Sequence, residues 1–155
     1  MPSQLRSNKK ICLIFLLLAP PSSIVMKGYP NNNDVIDHNS QLTLKSNDKY
    51  LTVRCVVYDS KPAVKFTWEF NGQKLDPKTN SAHCFNEENR PTFDCINGGS
   101  VPSEKDPSLM ITSSFVYLKV GHQATNTLTC FAHHPASLSP QRVMVNINVD
   151  KSGKF

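Results

Sequence analysis

Six stretches of this chain alternate apolar and polar side chains with a period of two, and none sustains the period of an amphipathic helix. Leu42 and Leu44 are separated by Thr43. Leu51, Val53, Cys55 and Val57 alternate with Thr52, Arg54 and Val56. Val64, Phe66, Trp68 and Phe70 alternate with Lys65, Thr67 and Glu69. The pattern returns at Val116, Leu118 and Val120, at Leu128, Cys130 and Ala132, and at Val143, Val145, Ile147 and Val149. Successive side chains of a strand point to opposite faces, so the pattern predicts strands buried on one face and open on the other. Asn71-Gly72 follows the third run at once and signals a two-residue hairpin, because both turn positions favour positive φ. Short strands, turn signals between them and no helix predict an all-β fold, a two-sheet antiparallel sandwich.

Residues 76–108 break the pattern. They hold Pro77, Pro91, Pro102, Pro107 and Gly98-Gly99, with few apolar side chains and no sustained period. This stretch reads as a long loop region. Residues 29–38 are Asn-rich and read as a flexible lead-in to a domain over 39–150. Residues 151–155 read as a polar tail.

The first 28 residues read as a secretory signal peptide. A polar, positive start ending in Lys9-Lys10 precedes the apolar run of residues 11–19, which Pro20-Pro21 then breaks. As a helix, that run rises about 13–14 Å against a bilayer core of roughly 30 Å, so it is too short to span. The cleavage point falls between Ala19 and Gly28. Composition changes meaning at this point. The whole chain carries 17 Lys+Arg, 12 Asp+Glu and 5 Cys. Arg6, Lys9, Lys10, Lys27 and Cys12 all lie in the leader. What remains is close to neutral, which gives little support to nucleic-acid binding. Four cysteines remain, Cys55, Cys84, Cys95 and Cys130. In an oxidising compartment they read as two disulfides, with the connectivity left open by the spacing.

Cys55, Trp68 and Cys130 each sit on the apolar face of an alternating run. In this respect the chain resembles the immunoglobulin superfamily, and nectin-like adhesion molecules in particular. Arg54–Pro62 and Thr127–Pro135 are similar to that family's cysteine-bearing strands and the loops that follow them. The resemblance covers residues 39–150. It implies a disulfide between Cys55 and Cys130 that joins the sheets, with Trp68 packed beside it. Leu128 stands where variable-type domains carry a corner tyrosine, which favours a constant or intermediate type. Cys84 and Cys95 lie outside the family core. A bridge between them would staple the enlarged loop and be worth about 2–3 kcal/mol by loop entropy.

No catalytic grouping, cofactor motif or metal-ligand spacing stands out. His133-His134 are adjacent on a strand, so their rings point to opposite faces and do not chelate one ion. They read as one surface and one packed histidine. No Asn-x-Ser/Thr sequon is present.

The alternation also names the outward side chains. On the strands around Trp68, Cys130 and Val145 these include Lys65, Glu69, Phe131, His133 and Met144. Phe131 and Met144 form an apolar centre with a polar rim, the composition of a protein–protein contact. The resemblance implies a secreted, non-catalytic module of cell recognition or adhesion. Its partner would be an extracellular or cell-surface protein, with homophilic association included, and no membrane anchor is expected in the mature chain. Two other expectations stand beside this one. The chain is a small effector or inhibitor acting through residues 84–95, or it is a fragment of a longer membrane-anchored adhesion receptor.

Overall fold

The computed structural model describes residues 18–45, 50–75, 96–120 and 125–150. These hold ten strands: β1 (Ser23–Lys27), β2 (Val35–Ile36), β3 (Ser40–Lys45), β4 (Tyr50–Ser60), β5 (Lys65–Phe70), β6 (Gln73–Lys74), β7 (Ile96–Pro102), β8 (Met110–Lys119), β9 (Thr125–His133) and β10 (Gln141–Asp150). They form two five-stranded sheets, ordered β2-β1-β4-β8-β7 and β3-β10-β9-β5-β6. Pairing is antiparallel except between β3 and β10, which run parallel.

The expected inward residues meet between the sheets. Leu51, Val53 and Cys55 of β4 and Val116 and Leu118 of β8 are buried against Trp68, Phe70, Leu128, Cys130, Val145 and Ile147 of the other sheet. Cys55 and Cys130 form a disulfide with Cα atoms 6.5 Å apart. Their cross-strand neighbours form a second tie. Ser114 pairs with Cys55, and Trp68 pairs with Cys130. The Trp68 indole N–H donates to Ser114 Oγ at 2.9 Å. A covalent bond and a buried hydrogen bond therefore join the sheets side by side. Trp68→Phe is expected to lose about 1–3 kcal/mol, because the buried Ser114 hydroxyl is left without its donor. Urea unfolding with an unchanged slope checks this.

The Asn71-Gly72 turn is present, with φ of 53° and 78°. The Asn71 side chain also stitches the turn to β9. Its Nδ2 donates to Asn126 Oδ1 at 3.1 Å, and its Oδ1 accepts from Thr127 N–H at 2.8 Å.

Three boundaries differ from the sequence reading. First, the sheet begins before residue 39. Ser23–Lys27, placed within the leader, pair with β4 in register from Ser23↔Tyr58 to Lys27↔Arg54, and Met26 is fully buried in the core. Val35-Ile36 of the expected lead-in form β2 on β1. Gly28 turns the chain between them at φ +132°, where a Cβ would lie 2.9 Å from the Thr52 carbonyl oxygen. Second, the end of the expected loop region is sheet. β7 pairs with β8 from Ile96↔Val116 to Pro102↔Met110. Gly98 is not a loop signal, since a Cβ there would collide with the Ser113 carbonyl oxygen. Third, β8 starts at Met110, six residues before Val116, where the alternation becomes legible. Cys84 and Cys95, with the rest of 76–95, lie outside the described residues.

Candidate partner-binding face

β5, β9 and β10 lie side by side, and cross-strand register brings the expected outward residues together. Lys65 is opposite His133, Thr67 opposite Phe131, and Glu69 opposite Thr129. On the other side of β9, Phe131 is opposite Arg142 and Thr129 opposite Met144. Phe131 and Met144 are thus diagonal neighbours across two strands, within reach of long side chains. Both are half-buried, while Lys65, His133 and Arg142 are exposed. Thr129, between Glu69 and Met144, is 7% exposed, more covered than an outward position suggests. The His133 ring lies 2.9 Å from Thr67 Oγ1 through Nε2. Apolar centre and charged rim are therefore one patch.

His134 points the other way and is buried. Its Nδ1 accepts from Ala136 N–H at 3.1 Å, so its Nε2–H donates to the Lys61 carbonyl at 3.0 Å. The ring ties the loop after β9 to the loop after β4, which is a structural role. Among the described residues, no three His, Cys, Asp or Glu side chains come together to hold a metal ion.

The Asp106 carboxyl is moved from its ordinary value. It is held low by hydrogen bonds from the Ser108 hydroxyl, at 2.7 Å, and backbone N–H, at 3.0 Å. Its contribution to stability is present above the ordinary carboxylate range and is lost as pH falls through the lowered value. It lies before β8, away from the β5–β9–β10 face.

The alternation did not reveal the exposed apolar groups of the opposite sheet. Val35, Val101 and Phe115 are 55%, 58% and 40% exposed. Val35 and Val101 belong to β2 and β7, the strands that sequence reading missed. Leu138, in the loop after β9, is also fully exposed.

Two β-sheets pinned by Cys55–Cys130, with a tryptophan beside the bridge, define an immunoglobulin-like domain. Residues 35–141 match the CD80-like C2-set immunoglobulin domain, and the chain belongs to that family. The constant-type expectation agrees with this assignment. No curated protein sequence matches the chain. Among solved structures, Rst D1-D2 superposes with a TM-score of 0.56 at 19% identity, over 86% of this chain and 51% of that one. The full ectodomain (Ig1-Ig3) of mouse nectin-like molecule 4 gives 0.51 at 16% identity, over 85% and 35%. IgNAR antibody domain C3 gives 0.50 at 13%, over 84% and 100%. The chain thus spans about half of the first of these and about a third of the second. At the family level, the domain is of the kind that serves cell recognition and adhesion.

Proposed function

We propose that this chain is an extracellular, non-catalytic binding module that recognises another protein, or a second copy of itself, through the β5–β9–β10 face. The observation that carries the reading is the continuity of the patch. Phe131 and Met144 lie diagonally across β9 and β10, and Lys65, His133 and Arg142 surround them. An apolar centre supplies affinity and a charged rim supplies register and on-rate.

The leader completes the reading. If β1 is retained, export cuts the chain ahead of Ser23, near Ala19–Ser22, and leaves Lys27 in the mature protein. Fourteen basic and twelve acidic side chains then remain beyond residue 19. A second reading is favoured by coverage: a domain that spans about half of Rst D1-D2 and about a third of the nectin-like ectodomain suits one piece of a longer adhesion receptor. The effector reading is separated from both by replacing residues 84–95 with a Gly/Ser linker. That change should spare binding if the face is the determinant.

Phe131→Asp tests the face. The expected result is a melting temperature within a few degrees of wild type, because the ring is half-buried on an outer surface. Bead-to-bead self-association, or binding of the beads to cell surfaces, should fall at least tenfold. Unchanged binding contradicts the proposal. An unfolded variant would mean that Phe131 belongs to the core, and Met144→Asp would then carry the test.

A further inference from the structure

The outer face of the other sheet holds an arrangement that the preceding reading does not use. Lys27 of β1 and Arg54 of β4 are direct cross-strand partners. Their neighbours Met26, Val53 and Cys55 are buried, so both point outward. Like charges directly opposite each other on adjacent strands oppose sheet formation. Among the described residues, no carboxylate pairs with either charge. Lys27 Nζ donates to the Tyr58 hydroxyl at 3.0 Å, and Arg54 Nη2 donates to Asn33 Oδ1 at 2.8 Å. Arg54 Nε is buried without any hydrogen-bond partner.

The row continues on both sides into exposed apolar groups. Val35 is opposite Lys27, and Phe115 is opposite Arg54. Two hollows of about 310 and 340 Å³ adjoin there and share Lys27 and Arg54. Val101 flanks the second hollow. Gly99 opens it further, because nothing lies within 4 Å of where its Cβ would be. Among the described residues, no acidic side chain lines either hollow.

We infer that this surface is a second binding site, for a peptide segment of a partner protein that presents an Asp or Glu between apolar side chains. A carboxylate there relieves the Lys27–Arg54 repulsion and accepts from Lys27 Nζ and the outer N–H groups of the Arg54 guanidinium. The flanking apolar side chains of the segment cover Val35, Phe115 and Val101. Two cations set within apolar surroundings suit a single carboxylate on an apolar chain better than a polyanion, which needs a run of cations. The site faces away from β5, β9 and β10, so it stands independently of the proposed adhesive face.

The test is selection of a phage-displayed random dodecapeptide library on the secreted full chain, counter-selected on Arg54→Gln. Enriched peptides should carry an acidic residue beside apolar ones. Synthetic copies should bind wild type at least tenfold more tightly than Lys27→Gln or Arg54→Gln, and more weakly as salt rises. Lys27→Gln should melt no lower than wild type, since it removes a like-charge pair. It carries the test if Arg54→Gln, which releases Asn33, fails to fold. Phe131→Asp should leave the peptide affinity unchanged, which separates this site from the adhesive face. Enriched peptides without acids, or equal binding to the variants, would overturn the inference. So would a heparin hexasaccharide that binds through Lys27 and Arg54 while no acidic peptide does.

Discussion

The Cys55→Ala/Cys130→Ala double variant is expected to lose about 4–5 kcal/mol of stability and on the order of 15 °C in melting temperature. The bridge spans 75 positions of sequence, so its removal returns a long loop's worth of freedom to the unfolded chain. A domain of this size is stable by roughly 5–15 kcal/mol, so the variant sits near or below the threshold of folding at 37 °C. The Trp68–Ser114 hydrogen bond sits beside the lost bridge and cannot replace a covalent link. The two ties share neighbours, so Trp68→Phe should be non-additive with loss of the bridge. Thermal unfolding followed by circular dichroism, with and without reductant, measures the effect. A drop of under 3 °C would mean that the sheets hold together without the disulfide.

Comparable damage is expected from a chain that begins at Tyr29 rather than Ala19. The shorter chain lacks β1. It loses Met26 from the core, a contact whose deletion alone costs about 2–5 kcal/mol. It also loses the ladder to β4 from Ser23 to Lys27, and strands β2, whose Ile36 pairs with Met26. The open edge of β4 is then a template for aggregation. Purified side by side, the longer chain should give a cooperative unfolding transition, and the shorter one should be insoluble or melt at least 15 °C lower. Equal melting temperatures would mean that β1 is dispensable.

Much of the fold is legible in the sequence because burial on one face imposes period two. β4, β5, β9 and β10 are read directly from it, and the Asn71-Gly72 hairpin from its need for positive φ. β1 escapes notice because Ile24, Val25 and Met26 fall within the 28 residues that read as a leader, and composition does not separate a strand from the end of a signal peptide. β7 escapes because Gly98 reads as a chain breaker, whereas it is glycine to let the Ser113 carbonyl approach. The parallel pairing of β3 with β10 is long-range and leaves no local mark. The candidate face follows from the same alternation, which places Phe131, His133, Met144, Lys65 and Glu69 on one outward surface. How far Thr129 is covered by its neighbours does not follow from it. The Lys27–Arg54 pair is invisible without register, since the two lie 27 positions apart on strands of which only one was recognised.

The central claim is an exported immunoglobulin-like domain whose first strand is β1. It is tested most directly by non-reducing peptide mapping of the protein recovered from the medium of expressing cells. One mass-spectrometric measurement reads location, mature N-terminus and cysteine pairing together. The account predicts recovery from the medium, an N-terminus at or before Ser23, and linked peptides joining Cys55 to Cys130 and Cys84 to Cys95. Retention inside the cell, an N-terminus at or beyond Gly28, or Cys55 joined to Cys84 or Cys95 would contradict it.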